Sequence, residues 1–241
     1  MSRLRNLKEI DISYSYNIEL PRGFGKLPNL ESFIFLNNNC KYLSDEIGNL
    51  KNLKYLNLEY NNLQELPMNI GNLKNLNELA LTYNKELSSI PESIEKLQNL
   101  EVLNMRYLNI TEFPESITKL KNLKELYFTN NKLTSIPKEI GNLSNIQVIY
   151  LGDNKIQSIP KEIGNLQNLK QLNLMRNNIS SLPDEMGNLQ NLETLILSYN
   201  QITSIPSTFG NLKSLKEIIL WSNKIETIPE SLKELGAAIK I

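Results

Sequence analysis

Histidine does not occur in this 241-residue chain, and cysteine occurs once, as Cys40. Without histidine there is no Ser-His-Asp or Cys-His catalytic arrangement and no imidazole metal ligand. One cysteine forms no intramolecular disulfide, which fits cytosolic and disulfide-free secreted proteins alike. Neither sign of charge is in excess: Lys+Arg and Asp+Glu are both 26. With no basic run either, the electrostatic footprint of a nucleic-acid binder is missing. No uninterrupted apolar stretch reaches the ~18–20 residues that cross a bilayer, so membrane insertion is not expected. The opening MSRLRNLKEI lacks the apolar segment of a secretory leader, and the compartment stays open. There is no dinucleotide or phosphate-loop fingerprint and no EF-hand spacing, so no cofactor is expected.

What the chain has is one octapeptide written twice. IPKEIGNL occupies Ile136–Leu143 and again Ile159–Leu166, 23 residues on. A catalytic signature normally appears once, whereas a half-apolar segment that recurs marks a unit stacking on its copies. Working outward gives ten units, starting at residues 7, 30, 53, 76, 100, 123, 146, 169, 192 and 215. Nine have 23 residues; the unit from Leu76 has 24, the extra residue falling in TYNKELSSIP. Leu4 matches the end of a preceding unit and Ala238–Ile241 the start of an eleventh strand. The expected organisation is a single repeat domain over 1–241 with partial repeats at both ends, which are exposed edges open to pairing with another copy.

Within a unit the first, fourth, sixth, eleventh, fourteenth, eighteenth and twenty-first places are apolar in 69 of 70 cases. Asn17 is the exception, beside Ile18. Proline fills the fifteenth place in nine units and asparagine the ninth in eight; Ser15 and Leu108 depart from the asparagine rule. Alternation around the fourth and sixth places predicts a short strand with one buried face. Copies at a fixed period predict parallel pairing, with a return segment P-x-x-I-G-N-L on the far side. Proline suits the first position of a short helical or 3-10 turn, and the glycine after the isoleucine is expected to leave that turn at positive φ. The asparagine amide is expected to satisfy backbone groups that each coil would otherwise bury unpaired. A local irregularity is expected near residues 84–110, where the insertion precedes Leu108. Read along the array, second-place residues such as Lys8, Glu31 and Lys54 never bring like charges together, as in-register strands require.

The second, third, fifth, seventh and eighth places point away from the core, so their chemistry is informative. The eighth holds Tyr14, Tyr60, Tyr83, Tyr107, Tyr199 and Arg176; the fifth holds Tyr127, Tyr150, Ile34, Ile196 and Ile219. Tyr55 stands at the third place, and Arg106, Met175 and the single Trp221 at the seventh. Tyr, Trp, Met and Arg are the residue types that interfaces favour, so this face is the expected binding surface for a protein or peptide partner. The alternative is that Tyr merely shields a sheet, since it favours strands in any case. Glu59, Glu78 and Glu101 lie close enough to suggest paired catalytic acids, but solvated surface charge is the plainer account. Cys40 falls at an apolar place and reads as a small buried hydrophobe.

The pattern L-x-x-L-x-L-x-x-N-x-L resembles the leucine-rich repeat family along nearly the whole chain. That resemblance implies an α/β solenoid, a horseshoe with a concave parallel β-sheet and short helical or 3-10 turns on the convex side. The wording IPKEIGNLxNLKxL is similar to the multi-copy leucine-rich repeat proteins of pathogenic Leptospira, which implies a secreted or surface-exposed protein contacting host molecules. It also looks like the Ras-associated repeat scaffolds, which share LPxxI. Three functions remain open: a non-catalytic interaction module, the substrate-recognition part of a larger enzyme such as a bacterial ubiquitin ligase, or a self-associating array.

Overall fold

The computed structural model describes residues 6–16, 18 and 20–241; Leu4 and Asn17 lie outside the described residues. The chain divides into two compact units, Met1–Ile110 and Thr111–Ile241. The first carries strands β1 (Glu9–Asp11), β2 (Ser32–Ile34), β3 (Tyr55–Asn57), β4 (Glu78–Ala80) and β5 (Val102–Asn104). The second carries β6 (Glu125–Tyr127), β7 (Val148–Tyr150), β8 (Gln171–Asn173), β9 (Thr194–Ile196), β10 (Glu217–Ile219) and β11 (Ala238–Lys240). Inside each unit consecutive strands pair in parallel, each residue opposite its counterpart one repeat on, as Tyr55 faces Glu78 and Ile196 faces Ile219. Strands therefore occupy the third to fifth places, as the alternation predicts.

The apolar places make the core. In the repeats from Leu53, Leu76, Leu100, Leu123, Ile146 and Leu192 every apolar place is buried. In the repeat from Leu7, by contrast, Leu7, Ile10, Ile12 and Leu20 are half-buried, and so are Ile225, Ile228 and Leu235 in the last. Cys40 corrects its expectation: it too is half-buried. Its thiol donates to the Tyr42 carbonyl at 3.3 Å, and burial pushes its pKa up, so it is a poor thiolate.

Two expectations about the return segment need correction. Proline sits one residue earlier than the first helical position: Pro67, with φ −65° and ψ 144°, caps the 3-10 turn Met68–Asn72. Its carbonyl accepts from the Ile70 N–H at 2.9 Å, and Pro160 does the same for Ile163 at 3.1 Å. The glycines that follow the apolar residue are not in the left-handed region, where only Gly23 and Gly236 lie among the glycines. They are there for close approach. A Cβ on Gly71 would lie 2.3 Å from the Ser93 carbonyl oxygen of the next coil, and one on Gly164 2.3 Å from that of Glu185. Glu95, Thr118 and Lys233 take this place in the repeats from Leu76, Leu100 and Leu215. In the last repeat the 3-10 turn gives way to a short α-helix, α1 (Glu230–Lys233).

The asparagine ladder is as expected and more specific. Asn84 Nδ2 donates to the Leu81 carbonyl of its own coil at 2.8 Å and to Leu58 of the preceding coil at 3.0 Å, while its Oδ1 accepts from the Leu63 N–H at 3.1 Å. Asn154, Asn177 and Asn200 repeat the scheme. The irregularity expected near residues 84–110 has a definite form. In ordinary repeats the eleventh-place N–H donates to the next coil's asparagine. Leu108 offers no such oxygen to Leu87, and the inserted residue turns the Leu87 N–H back onto the carbonyl of Asn84 at 3.0 Å. Insertion and substitution compensate each other. A second asparagine row passed unremarked in the sequence: asparagine precedes nine of the ten units, and Asn52, Asn75 and Asn168, for example, donate to the preceding coil's Pro28, Lys51 and Ser144 carbonyls.

Candidate functional site

The strand face is built from side chains that the core does not use, and its backbone has one unusual feature. The eighth-place residue has positive φ in all ten units, from Tyr14 at 57° through Asn37, Tyr60, Tyr83, Tyr107, Asn130, Asp153, Arg176 and Tyr199 to Ser222 at 55°. Chain direction changes here, between the strand and the asparagine ladder. Asparagine and aspartate accept this region readily; a bulky residue is an outlier there. Tyrosine nevertheless fills it five times. Nothing in composition or period signals this strain, because the eighth place merely looks free of packing.

None of the proposed surface residues is buried. In the first unit Tyr60, Tyr83 and Tyr107 stack, with ring centroids 4.6 and 4.3 Å apart and planes 17° and 6° from parallel. Lys85 Nζ stands 5.8 Å from the Tyr83 ring, and Arg106 is half-buried. In the second unit Tyr127 and Tyr150 meet edge to face at 5.4 Å. Their hydroxyls donate to Glu125 at 2.5 Å and Gln171 at 2.6 Å. Arg176 lies over the Tyr199 ring at 5.2 Å, and the Tyr199 N–H donates to the carbonyl of Trp221. Met175, Ile196 and Ile219 are half-buried beside them, and Trp221 is 46% exposed.

A polar cluster in the first unit was not foreseen as a unit. Small Ala80 and Thr82 are flanked by longer side chains in the neighbouring coils. Asn104 Nδ2 donates to Glu59 Oε1 at 3.3 Å, spanning the intervening repeat, and Ala80 and Thr82 are only 3% and 7% exposed. Asn57 Nδ2 donates to the Tyr55 hydroxyl at 3.1 Å. Burial, opposed by that bond and aided by the charges of Glu78 and Glu59, pushes the Tyr55 phenol up, so it remains neutral. The sequence signal was Ala80, the smallest residue at the fifth place of any unit. Among the described residues no cluster of His, Cys, Asp and Glu could hold a metal ion, and no helix is long and apolar enough to cross a membrane.

Comparison with known proteins bears on the whole repeat array. A family described as leucine-rich repeat region matches residues 79–152 and 138–240, and one described as leucine rich repeat matches 52–73. No curated protein sequence matches the chain. Among solved structures, a leucine-rich repeat protein of Leptospira interrogans is 36% identical over 99% of this chain and 67% of its own, with a TM-score of 0.86. A plant peptide hormone receptor in complex with its hormone is 30% identical, with 97% of this chain and 43% of that one covered and a TM-score of 0.74. The Arabidopsis receptor kinase HAESA, bound to a peptide hormone and a co-receptor, gives 29%, 91%, 39% and 0.80. The chain thus spans two thirds of the Leptospira protein and less than half of either receptor.

Proposed function

The chain belongs to the leucine-rich repeat family, and we propose that it is a non-catalytic module that captures a protein or peptide partner on its strand face. The observation that carries this reading is the eighth-place tyrosine. A side chain that strains its own backbone by about 1–2 kcal/mol, where asparagine would serve, is better explained by what it touches than by what it stabilises. Exposed tyrosine also supplies contact area at little entropic loss. Two of the receptors similar to this chain are seen bound to peptide hormones, which supports the same use of the scaffold. We extend the reading to a bacterial protein directed at host molecules, on the likeness of its repeats to the Leptospira protein.

The test is a random-peptide display library selected on the wild-type chain and on a Tyr60→Asn, Tyr83→Asn, Tyr107→Asn variant. Asparagine suits the backbone, so the variant folds. Peptides that enrich on the wild type and are lost on the variant support the reading; peptides that bind both equally remove these tyrosines from it.

A further inference from the structure

We propose that the 3-10 side of the first unit binds a linear sulfated polysaccharide along a row of lysines, a second site apart from the strand face. The row is Lys26, Lys51, Lys74 and Lys96, one from each of four successive coils. Lys26 and Lys96 end the 3-10 turns Phe24–Lys26 and Glu92–Lys96, and Lys51 and Lys74 stand just beyond the turns Asp45–Asn49 and Met68–Asn72. In the sequence they lie about a repeat apart, so no basic run announces them. The turns of neighbouring coils pack on one another, and that stacking gathers the lysines on one side.

The first observation is that these charges are uncompensated. All four lysines are exposed, and none has a carboxylate partner among the described residues. Lys51 Nζ donates to the Gly48 carbonyl at 2.7 Å and Lys74 Nζ to the Lys96 carbonyl at 3.0 Å. An ammonium has three donors, so these bonds hold each head at a turn and leave its charge standing. Glu46, within the second of these turns, is taken by the Gly23 and Gly25 N–H groups at 2.8 and 3.2 Å. Elsewhere lysines are paired: Lys8 and Lys54 share Glu31, and Lys216 has Glu193. An unpaired row repels itself, and a polyanion removes that repulsion.

The second observation is the space between the lysines. Gly25, Lys26, Pro28, Asn49, Lys51 and Asn52 line a cavity of about 520 Å³ between the first two coils, with no acid among them. Asn52 also borders a neighbouring cavity of about 480 Å³, which Lys8, Lys54 and Asn75 share with Glu31. Asn52 Nδ2 donates to the Pro28 carbonyl at 2.6 Å and Asn75 Nδ2 to that of Lys51 at 2.8 Å, which leaves each amide oxygen and a second N–H for a ligand. An amide that donates and accepts matches a hydroxyl, which does both as well. Lysine beside amide therefore selects a molecule with anionic groups and hydroxyls together, as an anionic polysaccharide has. No aromatic residue lines either cavity, so nucleic-acid bases find no stacking platform. A bilayer surface is flat and meets the lysine heads alone, whereas a chain enters between them. Lysines on successive coils call for a densely charged chain. Sulfate supplies that density, and one carboxylate per disaccharide does not.

The probe is a heparin hexasaccharide, titrated into the chain by calorimetry at several salt concentrations. The test variant is Lys51→Gln, Lys74→Gln; the control, Lys155→Gln, Lys224→Gln, removes the same charge from the other unit. All four side chains are exposed, and Gln167 already makes the Lys51 type of bond, to the Gly164 carbonyl at 2.8 Å, so glutamine preserves the turn. The hexasaccharide is expected to bind the test variant about tenfold more weakly, with the slope of log affinity against log salt smaller by about two, while the control keeps the wild-type affinity. A hyaluronan hexasaccharide, with fewer charges on as many sugars, is expected to bind about tenfold more weakly than heparin. Equal weakening in both double variants, or equal affinity for the two sugars, overturns the proposal. Capture by phosphatidylserine vesicles that the test variant loses, with no binding of the hexasaccharide, would assign the row to a membrane surface and overturn it as well.

Discussion

A tyrosine held at positive φ has two opposing effects. The left-handed backbone is unfavourable by about 1–2 kcal/mol, while a stacked ring returns about 0.5–1.5 kcal/mol beyond its buried area. The balance depends on neighbours, which differ along the row. Tyr83 has a ring on either side; Tyr14 is 64% exposed at φ 57°. Tyr14→Asn should therefore raise the urea midpoint, by about 1 kcal/mol of stability, and Tyr83→Asn should change it little. A loss on Tyr14→Asn as large as that of a core truncation would refute the strain. Glycine gives the opposite sign from intuition. At ordinary φ, Gly→Ala usually stabilises by about 0.4–1 kcal/mol. At Gly164 the new Cβ meets the Glu185 carbonyl at 2.3 Å, and overpacking of that kind is destabilising by about 1–3 kcal/mol. Denaturant titration of Gly164→Ala should show that loss, and a gain would mean the coils can move apart freely.

At the scale of the element, strand and ladder were legible because both answer to simple periods. Two-residue alternation placed β1 to β11, and the ninth-place amide has one geometry that serves three backbone groups. The conformation of the glycines was not legible. A glycine after a helical turn usually marks left-handed backbone, and only the neighbouring coil's carbonyl reveals that bulk is what is forbidden. The face residues were legible as a set from their places, while the Glu59–Asn104 bond joins residues 45 apart and needs coordinates. The insertion and Leu108 were both visible, but not their compensation, which runs through the Leu87 N–H. That coupling can be measured. Deleting Glu86 should strand this N–H and cost about 1–3 kcal/mol; adding Leu108→Asn should recover much of it. Strict additivity of the two changes in a double-mutant cycle would break the link.

Over the whole molecule, neutrality conceals an ordered row of charges. Glu31 is bonded by Lys54 at 2.7 Å and lies 3.2 Å from Lys8, and Glu193 is bonded by Lys216 at 2.5 Å. These hydrogen bonds, Lys54 foremost for Glu31 and Lys216 for Glu193, hold both carboxyls below the usual carboxylate range. An acid with a lowered folded pKa favours the folded state above its unfolded pKa, and that advantage is lost as pH falls through the folded value. Stability should thus decline on acidification below the ordinary carboxylate range, and less so in Glu31→Gln. Both groups are at the surface, so the decline should be small and should flatten in about 1 M salt. An acid limb identical in the wild type and Glu31→Gln would exclude this row as its source.

The backbone repair at Leu87 also bears on how such a gene can change length. A coding segment for one 23-residue unit adds or removes a whole coil, and units that share the asparagine ladder present matching partners to whichever neighbour they meet. The copies that begin at Leu76 and Leu100 are not interchangeable in that way, since each carries half of one correction. They are viable as a couple, inherited or lost together, and a lineage that separates them inherits a fault in its fold.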